Sequence, residues 1–162
     1  MLFYWWVFAA IGSVLATAGA ILLVAKVILP RLRRNRLEQD LRRGRDAFHR
    51  RREWLEARFL SMASRSGKPR GLQWVDCEFD DDVAFARDRH TGRLRALVGM
   101  TVQFAPIEGG GMEAVEAVQN RKAATVVFRL DGPDWEVDGR ALFNLNPAET
   151  IAHYPHELET AE

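Results

Sequence analysis

The residues of this chain whose types could hold a metal or move a proton are few, and their spacing works against each use. His153 and His156 stand three apart in H-Y-P-H, but Pro155 between them spoils a shared helical face, and no Cys or carboxylate lies nearby at ligand spacing. Glu78 with Asp80, Asp81 and Asp82 gathers carboxylates without the spacing of an EF-hand, so the run reads as a solvent-facing turn. His90 falls in a turn and His49 in an arginine-rich stretch. Cys77, the single cysteine, cannot form a disulfide within the chain, and its neighbours Asp76 and Glu78 disfavour the thiolate. Gly109, Gly110 and Gly111 could turn backbone N–H groups toward an anion, yet Glu108 and Glu113 flank them and no strand-to-helix phosphate fingerprint surrounds them. Nothing resembles a nucleophile elbow. These patterns imply no catalytic residue, no metal and no cofactor. Asp131, Asp134, Glu136 and Asp138 are left as an acidic patch that could meet a partner.

The elements that carry these residues begin with an apolar stretch. Residues 2–25 contain no charged side chain, and 24 residues at about 1.5 Å each exceed the ~30 Å hydrocarbon core of a bilayer. Residues 1–30 are therefore expected to form a transmembrane anchor. No Lys or Arg precedes the apolar run and it continues past its A-x-A sites, which favours an uncleaved anchor over a signal peptide. Phe3, Tyr4, Trp5 and Trp6 would form an aromatic belt at the outer interface, and Leu2 and Leu29 belong to the anchor. Lys26, Arg31, Arg33, Arg34 and Arg36 follow at once, so the positive-inside rule puts the amino terminus outside and the rest in the cytoplasm. Gly12, Ala16 and Ala20 recur every four residues, a stripe through which two spans could pair as a homodimer.

The net charge of +1 hides a split. Residues 26–70 hold 15 Lys/Arg against 5 Asp/Glu, a net +10, whereas residues 71–162 hold 8 against 17, a net −9. Pro30 is expected to kink or break the chain, after which residues 31–66 read as a basic amphipathic juxtamembrane helix. Its apolar stripe runs through Leu37, Leu41, Phe48, Leu55, Phe59 and Met62. A coiled-coil seam would need a companion position that reads Leu37, Gly44, Arg51 and Arg58, which is poor. The expected compromise is a basic first half at the lipid surface and a second half, from Phe48 through Trp54 to Met62, docked on the downstream domain. Arginines that abut a span imply topology and lipid contact, so no nucleic-acid partner is expected.

Residues 67–155 read as a small antiparallel α+β domain. Strands are predicted over 72–79, 83–89, 93–105, 124–130 and 135–143, with a turn at Asp80, Asp81 and Asp82. Leu94, Ala96, Val98, Met100, Val102 and Phe104 alternate strictly, as a half-buried strand requires. Asp88 to Gly92 and Asp131 to Asp134 supply the hairpin turns. Residues 106–121 stay a loop with a weak element, and Asn146, Pro147 and Glu149 open a short C-terminal helix. Residues 156–162 are expected to be a disordered acidic tail. A long helix followed by an antiparallel sheet is similar to the cystatin-like and NTF2-like rolls, a similarity of element order alone. The sequence thus leads to a single-pass membrane protein with a cytoplasmic, non-catalytic interaction domain. The alternative is a ligand-binding or hydrolytic roll whose pocket, between helix and sheet, would draw on Glu108, Glu113, Asp76 or His90.

Overall fold

The long helix α1 (Leu29–Ser66) contains Pro30 as its second residue, where a break is expected from the sequence. A π-helical turn, Val24–Ile28, leads into it, and the N–H of Leu29 donates to the carbonyl of Val24, five residues back. Proline lacks an N–H and its ring crowds the carbonyl four residues earlier, so widening the turn by one residue lets the helix continue. The computed structural model describes residues 8, 12, 13, 16, 19, 21, 23–66, 71–115 and 120–161, and the chain divides into two units, Met1–Arg42 and Arg43–Glu162.

In the first unit, Gly12, Ala16, Lys26, Leu29, Arg31 and Arg34 are exposed helical residues. Arg34 pairs with Glu38 one turn on, at 2.9 Å. Leu2, Phe3, Tyr4, Trp5, Trp6 and Ala20, and the side chains of Arg33 and Arg36, lie outside the described residues. Among the described residues no helix is long and apolar enough to cross a membrane.

The second unit is an α+β domain, a curled five-stranded antiparallel sheet packed on the second part of α1. Its strands are β1 (Leu72–Asp88), β2 (Leu94–Pro106), β3 (Lys122–Asp131), β4 (Asp134–Phe143) and β5 (Leu158–Thr160), with helix α2 (Pro147–His153) between the last two. The spatial order is β4-β3-β2-β1-β5. On the helix-covered face, the alternation in β2 is realised in full, because Leu94, Ala96, Val98, Met100, Val102 and Phe104 are all buried. Phe48 sits at the centre of that core, edge-on to Phe85, Phe128 and Trp135 at ring separations of 5.9, 5.3 and 5.0 Å. Phe59 makes the same kind of contact with Trp74 and Phe79. Such edge-to-face pairs set the positive edge of one ring on the negative face of the next.

Gly44 explains why the heptad fails. A Cβ there would stand 2.7 Å from Cδ2 of Leu94, and the Gly44 carbonyl accepts the indole N–H of Trp135 at 3.0 Å. The position serves close approach of helix to sheet rather than a coiled-coil seam. Trp54, expected to dock, is 54% exposed and lies under the guanidinium of Arg58 instead.

Two further expectations change. Asp80, Asp81 and Asp82 do not turn the chain; they bulge within β1, between the pairs Phe79–Met100 and Val83–Val98. Arg52 holds the bulge by donating to the carbonyls of Asp80 and Asp81, so the helix fixes what a turn would otherwise have done. The tail is ordered. Its strand β5 pairs with residues 86–88 of β1, and Ala161 N–H donates to the Phe85 carbonyl at 2.9 Å. Leu158 and Ala161 supply the buried anchors, while Glu159 reaches Arg89 at 3.4 Å. A strand of three residues with one apolar side chain, Leu158, carries no periodic signal.

Candidate functional site

Around Phe48 the space between α1 and the sheet is taken up by the aromatic rings just described, and further along Leu60, Ser61 and Ser64 of α1 and Trp74, Val75, Asp76 and Cys77 of β1 line an open cleft of about 510 Å³. The residues the alternative required are dispersed. Asp76 lies at the start of β1 paired with Arg121, His90 lies in the turn at the far end of that strand, and Glu108 and Glu113 are exposed. In the glycine loop the Gly110 N–H donates to the Ile107 carbonyl at 2.8 Å, and backbone N–H groups, that of Glu113 itself first, lower the pKa of the Glu113 carboxyl.

His153 is exposed at the end of α2 with its ring edge-on to Tyr154, and His156 is exposed in the following turn. Among the described residues no three His, Cys, Asp or Glu side chains converge to hold a metal. Cys77 is half-buried in β1, and burial followed by the charge of Asp76 raises its pKa, the direction opposite to activation.

The acidic hairpin is interleaved with arginine. Asp134 pairs with Arg51 at 2.5 Å, Asp131 with Arg93 at 3.1 Å, and Asp138 approaches Arg129 at 3.9 Å. Glu136 stands directly across from Arg129 in the β3–β4 register. The free edge of β1 is also guarded: register shifts between Trp74 and Asp76 and between Phe79 and Val83 interrupt it, and acids line it. Bulges and charge are the usual means by which an edge strand avoids adding another strand.

What remains is the outer face of the sheet, and α2 organises it. Asn146 accepts the N–H of Glu149 at 2.8 Å, Glu149 accepts that of Asn146 at 2.9 Å, and Pro147 opens the helix, the capping box expected from the sequence. Thr125 Oγ1 donates to the Leu145 carbonyl at 2.7 Å and ties this start to β3. From there Ile151 and Tyr154 pack on a second small core of Ala86, Leu97 and Leu158. Sequence alternation alone assigns that face to solvent.

Beside α2 the outer face opens into a cleft of about 270 Å³. Apolar Val127, Leu142 and Leu158 line it together with Arg95, Arg129 and Arg140 and the carboxylates Asp138 and Glu157. Arg95 and Arg129 are direct cross-strand neighbours, a like-charge pairing that costs stability unless something offsets it. Asp88 offsets Arg95. Its carboxylate is 5% exposed, bonds the Arg95 guanidinium, and accepts the N–H groups of His90 and Thr91 at 2.9 Å each. Burial would raise its pKa, but these bonds and the Arg95 charge overcome it and hold the carboxyl well below the usual range.

Arg140 has no acidic partner among the described residues, and Arg129 has only the long contact to Asp138. Thr150, fully buried, lines the same cleft, and its hydroxyl has no hydrogen-bond partner. These residues escaped the sequence reading because each arginine sits between apolar neighbours and looks like ordinary outward alternation; only the strand register brings them together.

No protein-family model matches the chain, no characterised protein matches its sequence, and no solved structure matches its fold.

Proposed function

We propose that this is a single-pass membrane-anchored protein whose cytoplasmic α+β domain is a non-catalytic module that recognises a protein partner. The observation that supports the non-catalytic half is the aromatic packing around Phe48, which fills the middle of the space between α1 and the sheet. Dispersal of Asp76, His90, Glu108 and Glu113 supports the same reading. The anchored half rests on the charge-free residues 2–25 and the arginines that follow them. Pairing of two anchors along Gly12, Ala16 and Ala20 belongs to the proposal.

Membrane attachment is tested by alkaline carbonate extraction of the expressed full chain, which should leave it in the pellet; release into the supernatant would sink the anchor. Protease added to sealed vesicles of either orientation should digest the domain only where the cytoplasmic face is outward. Affinity purification of the intact chain in mild detergent should recover a stoichiometric partner or a second copy, and recovery of neither would count against the module.

A further inference from the structure

β1 is 17 residues long, yet β5 pairs with it only over residues 86–88. Among the described residues no strand lies beside residues 72–84 on that side. Two bulges divide this edge, and between them residues 76–79 keep a regular register against Gln103, Val102, Thr101 and Met100 of β2. Alternate N–H and C=O groups of a regular edge strand point away from the sheet, so this stretch offers main-chain bonds to a further strand.

The two faces of the stretch differ in chemistry. Cys77 and Phe79 lie on the helix-covered face, opposite the buried Val102 and Met100. There Leu60 of α1 and Trp74, Val75 and Cys77 of β1 line the open cleft of about 510 Å³. Val75, left without a β2 partner by the first bulge, is 60% exposed. Asp76 and Glu78 take the other face, and Asp80, Asp81 and Asp82 follow in the second bulge. Among the described residues only Arg121 forms ion pairs with any of these five acids, at 3.4 Å to Asp76 and 3.6 Å to Glu78. Arg52 reaches the Asp80 and Asp81 carbonyls, but its charge is matched by Glu56. Five carboxylates against one guanidinium leave four negative charges at the edge. That charge repels a second copy of the same edge, since two copies paired antiparallel would set acid against acid. A strand of opposite sign is attracted instead, so the features that guard the edge also select what it can accept.

We propose that residues 76–79 at the free edge of β1 take up an extended basic segment of a protein partner as an added strand. Its Lys or Arg side chains lie on the side of Asp76 and Glu78, and its alternate apolar side chains on the side of the cleft. Strand addition draws affinity from main-chain bonds and specificity from alternate side chains. The inference names the partner chemistry of the non-catalytic module and rests on that reading.

The probes are three capped peptides, Lys-Val-Lys-Val-Lys-Val, Glu-Val-Glu-Val-Glu-Val and Lys-Pro-Lys-Pro-Lys-Pro, titrated into the isotope-labelled full chain in detergent and followed by amide chemical shift and hydrogen exchange. The first should bind saturably and slow exchange at those amides of residues 76–79 that β2 does not bond. The second should not bind because its charge is wrong, and the third because proline cannot donate to a ladder. Glu78→Lys should weaken the first by about fivefold or more, as reversal of a facing charge implies. Val75→Lys, at an exposed position beside the cleft, should weaken it as well. Glu136→Lys makes the same change of net charge on β4, at the other side of the sheet, and should leave binding unchanged. Absence of saturable binding by the first peptide, equal binding of the two lysine peptides, or full affinity in a folded Glu78→Lys chain would overturn the added strand. Self-association of the full chain that the peptide displaces would assign the edge to a second copy and overturn the partner. A stoichiometric partner retained equally by the parent and by Glu78→Lys would overturn the edge and leave the module standing. Recovery of the first peptide cleaved would instead overturn the non-catalytic reading and leave the edge standing.

Discussion

The two faces of one sheet obey different rules. On the face covered by α1, every inward position of β2 is apolar and buried, and the helix contributes Phe48, Leu55 and Phe59 with no exposed area at all. On the outer face, strands of the same sheet place Arg95 beside Arg129, and among the described residues Arg140 has no ion pair and the Thr150 hydroxyl of α2 has no hydrogen-bond partner. Dispersion and water exclusion determine the first face, and they reward any dense apolar filling. The second carries a like-charge pair and an open hydroxyl that packing alone would have removed. Neither side is free of unsatisfied groups, since Trp74 Nε1 and Arg45 Nε are buried beside the aromatic core without a hydrogen-bond partner among the described residues; what differs is that apolar packing fills one side and arginines crowd the other.

The sharpest way to break that contrast is to attack the packed face. Phe48→Ala should cost about 3–5 kcal/mol in denaturant unfolding, the range for deleting a large aromatic from a close-packed core; a loss below about 1 kcal/mol would mean the aromatic contacts around Phe48 do not hold the domain. Leu158→Ala removes the anchor of β5 from the small outer core and should cost about 2 kcal/mol, with faster hydrogen exchange confined to residues 84–88 and 158–161. A global loss as large as that of Phe48→Ala would erase the distinction between the two cores.

Asp88 gives the comparison a pH axis. Its carboxyl titrates below the usual range in the folded chain, so its contribution is present above the ordinary carboxylate pKa of about 4 and is lost as pH falls below that value. Asp88→Asn should therefore cost about 2 kcal/mol at neutral pH, and the gap from the parent should narrow as unfolding is measured at progressively lower pH. A gap that widened in acid would contradict the assigned bond to Arg95. The smallest effects belong to solvent-facing groups. Trp54→Ala and Arg140→Gln should each shift stability by less than about 0.5 kcal/mol, because neither side chain is buried or satisfied by the fold. A large loss at Trp54 would restore the docked tryptophan that the helical stripe suggested.

The packed face was legible residue by residue. Period-two alternation in residues 94–104 named the inward side of β2, and the stripe through Phe48, Leu55 and Phe59 named the covering face of α1, since both follow from fixed backbone repeats. The capping box at Asn146 was equally readable because its partners are three residues apart. Trp54 was misplaced because the stripe is narrow and a helical wheel cannot say where its margin meets a sheet. At residues 80–82 acids suit a turn as well as a bulge, and Arg52, 28 residues away from Asp80, holds the bulge through the Asp80 and Asp81 carbonyls.

The outer cleft lies beyond any local pattern. Arg95, Arg129, Arg140 and Thr150 come from four separate elements, and nothing in their spacing relates them. The sequence by itself determined the apolar stretch of residues 2–25, the +10 and −9 division of charge, the alternation of residues 94–104 and the two hairpin turns, since each depends on neighbours within a few residues. Tertiary structure alone decided that β5 closes on β1, that Gly44 lets helix meet sheet, and that Arg95 stands opposite Arg129. Those facts depend on strand register and helix approach, which are fixed by the whole fold rather than by local sequence.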